Sequence, residues 1–463
     1  MPGDKDKQPL SKEQQLDDLA KKLAGTKSKA APEVRAKLEK LMQQLALQES
    51  SSGKEKKTME EHKFWNTQPV PKHDEQITDM GPIEPSIPVD QVSKEPTALP
   101  KEFEWCELDM NVEKDAKDLY DLLTLNYVED DDAQFRFDYS VNFLKWALQP
   151  PNTRKEWLTG VRVASNKKLV AFISAIPVQL RTFDRSTLMT EINFLNVHKK
   201  LRSKRLAPVM IREITRRSHI HGIFQAVYTA GAVLPKPVST CQYFHRSLNP
   251  KKLVECGFSR IPRNWTLARM IKHFKVPEKT TIPGFREMQQ KDVPQVRALV
   301  NKYLDRFDFA PQFETDEDVE HWILPHKDVV WSYVVEDPTT NKITDVVSFY
   351  SLPSSVIGNP KHKTLNAAYL YYYATDVAFA GGKETTEDGA PKLLSKRLNE
   401  LVLDALIMAK RFGFDVMNGL QLMDNGLFLQ QQKFGAGDGF LNYYLYNWRC
   451  PDVEDNKVGL VML

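Results

Sequence analysis

The sequence predicts a mixed α/β fold made of two tandem copies of one unit. The first observation is a repeated strand segment. ASNKKLVAFISAIP (Ala164 to Pro177) parallels EDPTTNKITDVVSFYSLP (Glu336 to Pro353), each a turn and then an apolar strand that runs to a proline. The second is a repeated helix segment. SKRLAPVMIREITRRSHIHGIFQAVYT (Ser203 to Thr229) parallels SKRLNELVLDALIMAKRFGFDVMNGLQ (Ser395 to Gln421): SKRL, a helical pattern, a glycine near its end, and a β-type run. The third is the constant order of these matches, offset by about 176 to 192 residues, which is the signature of a duplicated unit. Each copy holds hairpin, strand, loop, helix and strand, so the sheet is expected to be mixed.

The elements follow in order. Residues 1–60 contain no Phe, Trp or Tyr and are rich in Lys, Gln, Glu and Ser, so they are expected to form a disordered polar tail. Within it, PEVRAKLEKLMQQLALQ (Pro32 to Gln48) spaces Val34, Leu38, Leu41 and Leu45 along one face of a transient helix. That face is either solvated, or docks on a ribosome or another macromolecule. Residues 61–100 are expected to be an extended arm, tied down by the aromatics of HKFWNTQPV (His62 to Val70) and carrying seven prolines from Pro69 to Pro100. Residues 101–270 form the first half and residues 271–463 the second. The ending, NKVGLVML, reads as a buried strand with Val458, Leu460 and Met462 on one face and Gly459, Val461 and Leu463 on the other. Such a strand carries the α-carboxylate of Leu463 into the protein, where an unpaired charge is expensive.

Composition excludes several classes. A chain of 463 residues with 41% hydrophobic and 10% aromatic residues is globular and too long for one small core. A net charge of +3, from 64 basic and 61 acidic residues, argues against specific nucleic-acid binding. Cys106, Cys241, Cys256 and Cys450 lack metal-ligand spacing and read as reduced thiols of a cytoplasmic protein. The apolar run LVAFISAIPV (Leu169 to Val178) is too short to cross a membrane, so no integral membrane protein is expected. A monomer is expected, with no metal and no cofactor. His219 and His221 stand two apart on a helix and make a poor metal pair. The run Asp130 to Asp132 lacks the spaced oxygens of a calcium loop.

The chemistry starts where the strand Ile192 to Val197 enters a basic loop. Lys199, Lys200, Arg202, Lys204 and Arg205 surround the start of a helix, and Pro208 is expected at its first position. Helix N-termini hold phosphates, so a polyphosphate ligand is the functional reading and a solvated charge run the plain one.

This unit resembles the acyl-CoA-binding core of the GCN5-related acetyltransferase fold, with RSKRLAP where that superfamily has a Gly-rich loop. The set EINFLNVHKKLRSKRLAPVMIREITRR, YTAGAVLPKPVSTCQYFHRSLNP, NYVEDDDAQFRFDYS and KFGAGDGFLNYYLYNW resembles the N-myristoyltransferase family across most of residues 62–463. AAYLYYYATD and the VGLVML ending look most like its fungal members. The insert Gly381 to Pro391 and the tail match no family motif. The resemblance implies two acetyltransferase-like units and transfer of a tetradecanoyl chain from myristoyl-CoA, a co-substrate, to the N-terminal glycine of peptides and proteins. It places the thioester carbonyl on the backbone N–H groups of Phe194 and Leu195, an oxyanion hole. Asn196 and Val197 continue along the pantetheine. Ser203, Arg205, Leu206 and Ala207 hold phosphates, and Lys63, Phe64 and Trp65 hold the other side of CoA.

The resemblance also gives the last residue a task. A glycine α-amine has a pKa of about 8 and an α-carboxylate one of about 3.5, so in water the carboxylate is a poor base by ~4 units, or ~6 kcal/mol. Burial raises the carboxylate and lowers the amine. In the family the terminal carboxylate is the base, here Leu463. On the peptide side the motifs imply Tyr127, Asp130, Asp132, Phe137, Tyr139, Asn193, Thr229, Tyr243, His245, Ser354, Tyr369 and Asp438. Core packing is the plain alternative for the aromatics. Two other activities fit the same fold: an acyltransferase with a shorter chain or a lysine acceptor, and a non-catalytic binder of acyl-CoA or lipidated peptides. An intact terminus and the NFL strand argue against the binder.

Overall fold

A computed structural model describes residues 62–127, 134–381 and 391–463. The polar tail, the acidic run Asp130 to Asp132 and the body of the Gly381–Pro391 insert lie outside the described residues. Up to Phe274 the chain runs β1 (Phe103–Glu107), α1 (Glu113–Asn126), β2 (Phe135–Phe137), α2 (Val141–Leu148), β3 (Leu158–Val163), β4 (Leu169–Thr182), β5 (Arg185–Val197), α3 (Leu206–Ile220), β6 (Ala226–Ala230), β7 (Ser239–Ser247), α4 (Pro250–Glu255) and α5 (Leu267–Phe274). From Phe285 it runs β8 (Phe285–Glu287), α6 (Val293–Leu304), β9 (Phe309–Pro311), α7 (Asp316–Trp322), β10 (Val330–Glu336), β11 (Ile343–Ser351), β12 (Ser354–Val356), β13 (Thr364–Leu365), β14 (Ala367–Thr375), α8 (Lys392–Arg411), β15 (Val416–Leu420) and β16 (Gly435–Tyr446).

The duplicated unit is present as topology. β3, β4 and β5 are antiparallel, α3 crosses over, and β6 returns parallel to β5. β10, β11 and β14 are antiparallel, α8 crosses over, and β15 returns parallel to β14. Gly222 and Gly413, just past α3 and α8, take φ of 74° and 81°, the left-handed exit that glycine permits.

The two copies share one sheet by exchanging their last strands. β16 lies between β6 and β7, and β7 lies between β16 and β15, which yields a 13-stranded sheet in the order β1-β3-β4-β5-β6-β16-β7-β15-β14-β11-β10-β8, with β9 on the edge of β4. β4 sits inside this sheet with helices on both faces, which explains its unbroken apolar run. Phe172 belongs to the cluster of Leu119 and Leu122 on α1, whereas Ala171, Ile173 and Ala175 join Met210 and Ile214 on α3.

Two local expectations change. Helix α3 begins at Leu206, so Pro208 is its third residue; the missing N–H still falls among the first four donors, which have no partner inside the helix. The C-terminal segment is not a regular strand. Val458 forms a single parallel bridge to Phe309, and residues 458–462 are buried while Leu463 is half-buried. Residues of the 61–100 segment bond to the body: Asn447 N–H donates to Pro69 O (2.8 Å), Gly81 bridges Arg449, and Thr97 N–H donates to Glu213 (2.8 Å).

Candidate active site

The centre of the site is a fault in β5. Ser174 pairs with Asn193 and Phe172 with Asn196, so Phe194 and Leu195 together stand opposite Ile173. This is a β-bulge, and Phe194 takes a left-handed φ of 56°. A phenylalanine held there costs about 1–3 kcal/mol, which the surrounding packing must supply. The bulge sets these two residues outside the regular pairing of β5 with β4. The Phe194 N–H is taken by the hydroxyl of Tyr127, a buried phenol whose pKa burial pushes up to about 12. Ser174 Oγ donates to Asn193 O (2.9 Å) and fixes the strand just before the bulge.

Downstream, a 3₁₀ turn over Lys199–Lys204 leads to Arg205, itself left-handed at φ 56°, at the start of α3. Ser203 and Arg205 are exposed, Leu206 is buried and Ala207 half-buried. Lys199 N–H donates to Asn126 Oδ1 (3.0 Å), and the Arg202 guanidinium to Asn126 O, so the loop is anchored to the end of α1. Trp65 of the arm stacks on Tyr228 (5.6 Å, 6°), and Phe64 lies under Arg212 of α3 at 5.8 Å. The arm and the basic loop therefore meet on α3, with Lys63 exposed beside them.

Several residues expected on the peptide side form a continuous aromatic path from the bulge. Ring centroids lie 5.2 Å apart for Phe194–Tyr139, 5.7 Å for Tyr139–Tyr127, 5.8 Å for Tyr139–Phe137 and 6.5 Å for Phe137–Tyr369. Ser354 of β12 pairs with Phe137 of β2. His245, Asn418 and Tyr369 stand in register on β7, β15 and β14, with His245 Nδ1 2.7 Å from Asn418 Oδ1. Burial holds the His245 imidazole below its usual pKa, opposed by Asn418 and by the exposed Asp438. A Cβ on Gly437 would meet His245 Cδ2 at 2.8 Å and Tyr243 O at 3.1 Å, so the GAGDG stretch needs glycine there to lie against the His245 ring and the Tyr243 backbone. Thr229 of β6 pairs with Tyr443 of β16.

Tyr443 also reaches the chain terminus. Its hydroxyl donates to Leu460 O (2.9 Å), Tyr372 OH accepts the Val461 N–H (3.2 Å), and Gly459 N–H donates to Phe309 O (2.7 Å). The last residues are thus clamped between β9, β14 and β16, and Leu463 packs at the edge of the cluster that contains Phe194.

Sequence reasoning missed Glu191 and Asn418. Glu191 Oε1 accepts from Asn193 Nδ2 (2.7 Å), and burial raises its pKa from 4.5 to about 7, with the Asn193 amide opposing. Tyr372, the phenol on Val461, feels its charge. The signal was available: Glu191 is the one charged residue of the buried segment MTEINFLNV, two positions from Asn193 and hence on the same face. His219 and His221 have separate tasks, packing on Phe224 and pairing with Glu156 (2.6 Å). Among the described residues, no group of three His, Cys, Asp or Glu could hold a metal ion, and no helix is long and apolar enough to cross a membrane.

Known proteins resemble this chain over most of its length. Residues 82–241 match the N-terminal domain of myristoyl-CoA:protein N-myristoyltransferase, and residues 255–461 match its C-terminal domain. Glycylpeptide N-tetradecanoyltransferase 2 of Danio rerio is 53% identical over 405 residues, covering 88% of this chain and 78% of the relative. The glycylpeptide N-tetradecanoyltransferase of Schizosaccharomyces pombe is 49% identical over 426 residues, covering 91% and 90%. Overall identity therefore does not single out the fungal members that two motifs resemble. A crystal structure of the Saccharomyces cerevisiae N-myristoyltransferase with bound myristoyl-CoA superposes with a TM-score of 0.84 at 46% identity, covering 88% of this chain and all of that one. On these grounds the chain belongs to the myristoyl-CoA:protein N-myristoyltransferase family.

Proposed function

We propose that this protein transfers the tetradecanoyl group of myristoyl-CoA to the α-amine of N-terminal glycines, with the acyl-CoA on residues 101–270 and the peptide between that half and residues 271–463. The observation that supports it best is the Phe194–Leu195 bulge, whose Phe194 lies in the core cluster against which the terminal Leu463 packs. The thioester carbonyl takes the Phe194 N–H in place of the Tyr127 hydroxyl and shares the Leu195 N–H. These donors strengthen as the carbonyl oxygen becomes an oxyanion. The Leu463 carboxylate takes one proton from the glycine ammonium, the freed amine attacks the carbonyl carbon, the C–S bond breaks, and a second proton from the nitrogen passes to the sulfur, so that CoA leaves as the thiol.

Lys63, Phe64, Trp65, Ser203, Arg205, Leu206 and Ala207 bind CoA around the start of α3, and Asn196 and Val197 flank its pantetheine. Tyr127, Phe137, Tyr139, Tyr243, His245, Ser354, Tyr369 and Asp438 line the peptide groove. Asn193 and Thr229 hold the glycine, where any side chain would clash, and Asp130 and Asp132 face basic residues of the substrate. The four cysteines are free thiols, as suits a monomeric enzyme of the reducing cytoplasm. Purified protein, a Gly-starting octapeptide and a series of acyl-CoAs, read by mass spectrometry, test the activity. Tetradecanoyl transfer to the glycine amine is expected; acylation of a lysine, or none with any acyl-CoA, would overturn it.

A further inference from the structure

The segment joining the two halves carries a charge that the acyl-transfer site does not use. From Ser259 to Lys279 it holds Arg260, Arg263, Arg269, Lys272, Lys275 and Lys279 against one acid, Glu278, a net +5 where the whole chain carries +3. All six cations are exposed, and among the described residues none makes an ion pair. Their scaffold is fixed. Thr266 caps α5 by accepting from Arg269 N–H (3.2 Å), and Met270 is buried beneath it. At its other end, Arg246 donates to Phe274 O (3.2 Å) and Lys433 Nζ to His273 O (2.7 Å). The local field is positive: after burial, the cations Lys433, Arg246 and Arg269 all press the His273 pKa down.

Two aliphatic side chains stand out among these charges, Ile261 at 39% and Ile271 at 44% exposure. The one indole nearby is already engaged, with Arg269 at 4.7 Å over the Trp265 ring and His273 edge-on at 5.0 Å. A single-stranded nucleic acid would call for free aromatic platforms. Cations around exposed aliphatic side chains suit an anionic lipid surface, which attracts the charges and admits the isoleucines.

We propose that the Ser259–Lys279 segment is a peripheral docking surface for bilayers rich in anionic phospholipid. The proposal is independent of the acyl-transfer reading. It is tested by co-sedimentation of the full chain with phosphatidylcholine vesicles, with and without phosphatidylserine. Binding is expected only with phosphatidylserine and should fall as salt rises. Each cation near such a surface contributes roughly fivefold, so Arg260→Gln/Arg263→Gln/Lys272→Gln/Lys275→Gln should lower the partition coefficient at least tenfold, allowing for screening. Its melting temperature and its turnover of a soluble peptide should match the parent. Should that variant not fold, Ile261→Ser/Ile271→Ser carries the test, with several-fold weaker binding and an unchanged salt dependence. Equal binding to both vesicle types, parental binding by the folded variants, or tighter binding to an RNA oligonucleotide than to the vesicles would overturn the proposal.

Discussion

Replacing Glu191 with Gln tests whether the buried acid of β5 is a stability burden at neutral pH. The side chain is 7% exposed, its Oε1 accepts from Asn193, and its pKa is raised from 4.5 to about 7. In the folded chain the protonated acid is favoured. The associated stability is full below the unfolded value near 4.5 and is lost as pH climbs through about 7. A rise of this size corresponds to about 3 kcal/mol at pH 8, and less than half of that has been lost at pH 5.5. Gln keeps the volume and can still accept from Asn193, but carries no charge. Glu191→Gln should therefore melt roughly 5 °C above the parent at pH 8, with a clearly smaller gap at pH 5.5. Melting in matched buffers at the two values, followed by far-UV circular dichroism, measures the gap. A gap independent of pH, or one that widens toward acid, would refute the reasoning.

Further outcomes follow from other parts of the site. Gly437→Ala should raise KM for peptide several-fold with little change in kcat, because the new Cβ pushes on His245 and Tyr243; steady-state kinetics over a peptide series measures the split. Changing Asp130, Asp131 and Asp132 together to Asn should raise KM more for a peptide with Lys near its start than for a neutral one, by ~0.5–1 kcal/mol per pair and less at high salt. Equal loss on both peptides would make the run structural. A chain starting at Glu60 should retain normal kcat/KM on short peptides, since the tail lacks the apolar density of a site wall. A loss measured in the same assay would place the tail in the site.

Much of this arrangement was legible because it is local. The repeated SKRL-helix-glycine segments announce the two crossover units, and the strand-to-basic-loop transition at Val197 announces a helix start suited to phosphate. What was hidden depends on distant partners. Nothing in β7 or β16 signals that each inserts beside strands of the other copy, since that pairing joins residues some 200 positions apart, such as Thr240 and Asn442. Alternation in the C-terminal segment was uninformative because both of its faces are covered, by Phe309 on one strand and by Tyr372 and Tyr443 on two others. The bulge at Phe194 is likewise a matter of register: EINFLNV reads as an ordinary apolar strand until its partners on β4 are counted.

The central claim is that the chain terminus is the base at an acyl-transfer site built on the β5 bulge. Single-turnover kinetics on a chain extended by two glycines beyond Leu463 tests it most directly. The extension leaves the bulge and the start of α3 in place and moves the carboxylate away. The rate of the chemical step should fall by about 10² or more, the contribution of a positioned base, while myristoyl-CoA affinity stays within about twofold. An unchanged single-turnover rate in the extended chain would contradict the account and remove the Leu463 carboxylate from the mechanism.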